Sequence, residues 1–163
     1  MSISEQHLKA LGRVVVNFQG VEFAIGMAIS GCVSRSDQNV GHMIVSQVFA
    51  FDRLCKLAGA LFDHLFPGTE QAERFQALLT LALQLEGRRN QLFHSTWAED
   101  LSGEQVSRIK ISLDRTKGLK FASPVVTADE INGLATEMAS VSDEIIKLLT
   151  GVPASAERVR GMS

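Results

Sequence analysis

Tyrosine is absent from the 163 residues, Trp97 is the one tryptophan, and there are two cysteines. Each shortage excludes something. Without tyrosine and with a single indole, the chain lacks the usual aromatic platform on which single-stranded bases stack, leaving phenylalanine as the substitute. Cys32 and Cys55 are too few for the disulfide framework of a small secreted domain and read as buried or half-buried thiols. Positive charge is not in surplus either. With a net charge of -2 and a pI of about 6.1, the chain does not clamp long nucleic acid through phosphates alone, so any contact with RNA has to be local. No run of about eighteen apolar residues occurs. No basic segment followed by an apolar stretch and a cleavage site opens the chain, so a soluble, cytoplasmic protein without a membrane span is expected. Phosphate-cradling glycine loops, nucleophile elbows, zinc-type Cys or His pairs and calcium loops are missing, and neither a metal nor another cofactor is expected.

Hydrophobic residues make up 45% of the chain, enough for the core of one domain. Residues 1–150 are expected to form it, and 151–163 has little to bury and is expected to be a disordered tail. From Ser4 to Cys32, Leu8, Leu11, Val15, Phe18, Ile25 and Ile29 follow a three-four spacing that marks one helical face, and Glu22 occupies the missing step. Turn residues from Ser34 to Asn39 lead to a second expected helix, Val40 to Phe66, stopped by Pro67-Gly68. Its core face is Ile44, Val48, Phe51, Cys55, Ala58, Phe62 and Leu65. Thr69 is a good N-cap for a third helix reaching Thr96, with Phe75, Leu78, Ala82, Leu85 and Leu92 as its stripe. Arg89 falls on that same stripe.

The period then changes to two, with Ile109, Ile111 and Leu113 alternating with Arg108, Lys110 and Ser112, as in a half-buried strand whose basic residues face solvent. Asp114 to Gly118 reads as a turn, and Leu119 and Phe121 begin a returning strand that Pro124 limits. Thr127 and Glu130 have the spacing of a capping box, opening a last helix with Ile131, Leu134, Met138, Val141, Ile145 and Leu148 inward. The fold expected is all-α, a four-helix up-down bundle with a short β-hairpin inserted before the last helix.

A guanidinium on an apolar stripe needs acceptors or a wet cavity, and a carboxylate in an apolar seam is equally awkward. Glu22 and Arg89 are therefore expected to form a buried ion pair between the first and third helices. His7, His42 and His64 have no partners at ligand spacing and read as surface or boundary residues. His94 stands apart, although a helix-end histidine can simply hydrogen-bond the last carbonyls.

The segment Arg89-Asn90-Gln91-Leu92-Phe93-His94, at the end of a long helix and followed by Trp97 and a hairpin, resembles the motif of the HEPN family: Arg, four to six residues, then His, often with a polar residue after the Arg. The likeness extends as an architecture over about residues 5 to 150, and departs at Ser95, where many relatives carry glycine. It implies a metal-independent endoribonuclease in which Arg89, Asn90 and His94 are catalytic. Arg89 would stand beside the phosphorane, His94 would move the proton, and Asn90 would orient the imidazole or hold a phosphate oxygen. Five steps of about 100° set Arg89 and His94 roughly 140° apart around a helix, so one chain serves them poorly. In the family two protomers combine their motifs across a two-fold axis, so a homodimer is expected here, with RNA as substrate and a cognate antitoxin or other protein as candidate partner.

Arg108, Lys110, Arg115, Lys117 and Lys120, against Asp114 alone, give the hairpin a local basic surface that would carry the RNA. The same residues suit a merely solvated, aggregation-resistant edge. Two further readings stand beside the ribonuclease. One is a non-catalytic HEPN interaction or nucleotide-sensing module, in which Arg89 and His94 hold a ligand phosphate or the dimer; the other is a structural helical adaptor.

Overall fold

A computed structural model describes residues 3–33, 38–48, 50–99, 106–114 and 118–151, with the backbone alone at 38, 99, 110–114 and 118–122. The chain is mostly helical with a small antiparallel sheet. Its elements are α1 (Glu5–Val33), α2 (Gln38–Val45), α3 (Phe51–Leu65), α4 (Glu70–Phe93), β1 (Thr96–Glu99), β2 (Val106–Asp114), β3 (Gly118–Ala122) and α5 (Ala128–Gly151). Of the turn expected from Ser34 to Asn39, Gln38 and Asn39 belong to α2 and 34–37 lie outside the described residues, as do 115–117 of the turn expected from Asp114 to Gly118; of the tail expected over 151–163, Gly151 ends α5 and the rest lies outside them.

α1 runs along α5 and α3, and α4 closes against the same two helices from the opposite side, so α1 and α4 meet at few points. Phe62 and Phe75, with ring centroids 4.4 Å apart, join Ile25, Ile29, Leu85, Met138 and Ile145 in the core. The apolar face of α5 is the expected one: Ile131, Leu134, Met138, Val141, Ile145 and Leu148 are all buried. Its start closes as a reciprocal capping box. The Thr127 N–H donates to the Glu130 carboxylate at 2.7 Å, and the Glu130 N–H donates to the Thr127 hydroxyl at 3.2 Å.

On α1 the buried face is turned toward α5 relative to the expected one. Ala10, Val14, Val21, Ala24 and Ala28 are buried with Phe18, Ile25 and Ile29, whereas Leu8 is 53% exposed. Small residues let α5 approach closely, and a count of large apolar side chains passes over them. By length and mean hydropathy alone α1 is sufficient to cross a bilayer, and half of that stretch is buried inside the protein.

The second expected helix is two. Gln47 and Val48 donate backward to Ile44 and Val45 at 3.1 and 3.0 Å, a tightening that ends α2, and the Ser46 hydroxyl donates to the Met43 carbonyl at 2.8 Å. Ala50, extended at φ -107° and ψ 126°, then starts α3. Phe51, Cys55, Ala58 and Phe62 are buried as expected, but Ile44, on α2, is 38% exposed. The apolar period continues through the break, so periodicity alone could not reveal it.

α4 also stops earlier than expected, at Phe93. Thr96–Glu99 becomes a strand, and the hairpin is extended to a three-stranded sheet in the order β1-β2-β3. Thr96 pairs with Ile109, Trp97 with Arg108 and Ile111 with Phe121. The face of β2 expected to meet solvent is instead turned inward at its start: Val106 is 5% exposed, and Arg108 lies half-buried over α4 and α5.

Candidate active site at the end of α4

Thr69, whose hydroxyl accepts from the Ala72 N–H at 3.2 Å, starts α4, and Phe62 on Phe75 fixes its antiparallel register with α3. Because α4 has 24 residues and α3 has 15, the last turns of α4 extend beyond the start of α3 at Phe51. There the neighbour is α1, where Phe51 rests on Phe18 with ring centroids 4.8 Å apart.

Arg89 occupies this opening. Its guanidinium lies 4.7 Å from the Phe18 ring centroid and 5.6 Å from that of Phe93, a cation held by two aromatic faces. One terminal nitrogen donates to Asn90 Oδ1 at 3.1 Å, and Asn90 Nδ2 donates to Glu86 Oε1 at 3.4 Å. Arg89 Nε is buried without a hydrogen-bond partner.

Among the described residues no ion pair joins Glu22 to Arg89, which corrects the expected buried pair. Glu22 sits at an exposed position on α1, close enough to sense the guanidinium without closing on it. Desolvation raises its pKa above the usual carboxylate value; Arg89 opposes this and Glu86 adds to it. Glu86 also reaches Cys55, whose thiol is pushed up to about 12, mainly by burial. The guanidinium thus rests on aromatic faces and an amide, with Nε unpaired and two carboxylates nearby.

His94 is the C-cap of α4, at φ -93° and ψ 16°, and its backbone N–H donates to the Asn90 carbonyl at 3.0 Å. The side chain is exposed, and among the described residues its ring makes no hydrogen bond. Other groups have taken the last carbonyls: Ser95 Oγ donates to Gln91 at 2.5 Å and Trp97 Nε1 to Leu92 at 3.1 Å. Ser95, the departure from the motif, therefore closes the helix, and the alternative in which His94 does so does not apply.

Arg89 and Asn90 are brought together with Glu22 and Glu86, while His94 lies further around the helix end, and no hydrogen bond links it to Arg89. Of the basic hairpin residues, Arg108 turns toward the helices. Lys110 and Lys120 are placed on β2 and β3 by their backbones, and Arg115 and Lys117 lie outside the described residues. Phe18, expected only as a core residue of the first helix, Phe93, expected only as part of the motif segment, and Glu86 are not site residues on the sequence reading, although Glu86–Asn90 and Arg89–Phe93 both have the i, i+4 spacing of helix neighbours. Comparison of the chain with protein families, with curated proteins and with solved structures finds no match.

Proposed function

We propose that the chain is a four-helix up-down bundle of the HEPN type and a metal-independent endoribonuclease, acting as a cytoplasmic homodimer whose two copies contribute Arg89, Asn90 and His94 to one cleft. The observation that carries this reading is the division of labour at the end of α4: Ser95 and Trp97 satisfy the terminal carbonyls, leaving the exposed His94 imidazole available for proton transfer. In the reaction the RNA 2'-hydroxyl attacks its own phosphorus as an imidazole takes the proton. The bond to the 5'-oxygen breaks, that oxygen gains a proton, and the products end in a 2',3'-cyclic phosphate and a 5'-hydroxyl. Arg89 supplies positive charge to the phosphorane, and Lys110, Arg115, Lys117 and Lys120 hold the strand. A toxic or defensive role in a conflict system, restrained by a cognate antitoxin, belongs to the same proposal.

The second reading is non-catalytic, an interaction or nucleotide-sensing module, and one observation favours its interaction form, in which no phosphate is held. Asn90 is engaged by Glu86, and the field of Glu22 and Glu86 around Arg89 works against a phosphate. Incubation of the pure protein with mixed RNA in EDTA separates the two. The ribonuclease gives cyclic-phosphate ends that disappear in His94→Ala and Arg89→Ala, with Arg89→Lys reporting on packing. Absence of cleavage by the wild type, or a strictly monomeric species at micromolar concentration, decides for the second reading.

A further inference from the structure

The flank of α4 turned away from Arg89 borders a second concavity. Arg88, Gln91 and Leu92 look across a cavity of about 300 Å3 at Arg108 of β2, with Val125 and Ile131 on its floor. Its walls are fixed before any ligand arrives. The Arg108 N–H donates to the Pro124 carbonyl at 2.9 Å and that of Val126 to Val106 at 3.0 Å, while Ser107 bridges to Val125, so 124–126 is pinned to β2. Arg88 clasps both carboxylate oxygens of Glu137, tying α4 to α5. Glu130, also on the rim, is held in the capping box.

The charges divide unevenly. Glu137 neutralises Arg88, and the Glu130 carboxylate is engaged by the N–H and hydroxyl of Thr127. Arg108 Nε is desolvated and has no hydrogen-bond partner. A buried N–H that has lost water without gaining an acceptor is costly, and rotation about the side-chain bonds of Arg108 would bring it to an acceptor in the cavity. Beside it Gln91 offers an amide, and Val125, 47% exposed, extends an apolar surface with Leu92 and Ile131. The volume, at the lower end of ligand pockets, suits a ring with a short side chain.

We propose that this cavity binds a small organic carboxylate, its head on Arg108 and Gln91 and its apolar body on Leu92, Val125 and Ile131. The planar guanidinium fork matches a carboxylate in geometry and charge, whereas a phosphate dianion would bring its second charge toward Glu130 and Glu137. The site is independent of the ribonuclease proposal, because neither Arg89 nor His94 borders it.

Trp97 provides the readout. It is the only tryptophan, pairs with Arg108 in the sheet and donates to the carbonyl of Leu92. Fluorescence titration of the full chain with phenylacetate should saturate with a Kd of about 1 mM, at least about tenfold tighter than acetate or phenyl phosphate. Arg108→Leu should weaken phenylacetate about tenfold or more, the loss of a charge-assisted pair. Val125→Phe, which fills the floor from an exposed position, should do the same with every charge retained. Circular dichroism melting verifies that both variants fold, and Val125→Phe decides alone if Arg108→Leu does not. Failure of phenylacetate to saturate, equal binding of acetate, tighter binding of phenyl phosphate, or wild-type affinity in a folded variant would each overturn the proposal.

Discussion

Replacement of Gly41 by alanine tests the docking of α2 on α1, and the structure sets both the sign and the size. A Cβ at Gly41 would stand 2.3 Å from Ser30 Cα, 2.7 Å from its Cβ and 2.8 Å from its Oγ. Ordinary contact begins near 3.5 Å, so relief requires about 1 Å of separation between two helices. The opposing atom is backbone, and no rotamer change can provide it. Overpacking of this kind costs about 1–3 kcal/mol, and the helix propensity of alanine over glycine returns at most about 1 kcal/mol. The expected net loss of about 1–2 kcal/mol lowers Tm by roughly 2–8 °C in a domain of this size. Gly133→Ala is the matched control: it lies inside α5, and an added Cβ meets nothing within 4 Å. It should stabilise by up to about 1 kcal/mol. Urea and thermal unfolding of both variants measure the pair, and a Gly41→Ala protein as stable as the wild type, beside a stabilised Gly133→Ala, would falsify the close approach.

Two further outcomes follow from the ionisable groups. Because partial desolvation raises the Glu22 pKa, the folded state binds a proton more tightly than the unfolded state, and Glu22 costs stability as pH rises past the usual carboxylate range. Glu22→Gln should therefore have the higher Tm at pH 7 and converge with wild type below about pH 4; a lower Tm at pH 7 that vanishes in an Arg89→Met background would reveal a closed ion pair instead. Cys55, buried and pushed up to about 12, should resist iodoacetamide at pH 8 until the chain unfolds. Mass spectrometry of the labelled peptides reads this directly, and labelling in the folded protein at the denatured rate would contradict it.

The helices were legible where large apolar residues or a side-chain cap carry the signal. Thr127 and Glu130 announced α5, Thr69 announced α4, and the buried residues of α5 are the ones its spacing selects. Legibility failed where a small residue or a backbone bond decides. Gly41 against Ser30 lets α2 lie close on α1, and nothing in apolar spacing distinguishes such a glycine from one in open space, such as Gly133. β1 escaped notice because Thr96–Glu99 is four residues long and gains its partner only once β2 arrives. The start of β2 differs from expectation for a related reason. Among its described side chains Val106 is buried, and Arg108, half-buried like Ile109, borders the helices, where a long aliphatic stem covers apolar surface.

At the end of α4 the sequence displays Arg88 and Arg89 side by side, and their neighbours give them opposite employments. A step of about 100° sends Arg88 to α5, where Glu137 neutralises it, and Arg89 to α1, where Phe18 and Phe93 take its face. The apolar stripe identified Arg89 as the unusual one, but Glu22 was a poor guide to its partner: a carboxylate that does not close on a guanidinium keeps its desolvation cost without the pair's return. That combination leaves the cation pre-positioned and incompletely satisfied, with Nε bare, in an opening that exists only because α3 is nine residues shorter than α4. Shortening α4 would remove the opening, and lengthening α3 would cover it. The mismatch in helix length is therefore as much a part of the candidate site as the motif residues.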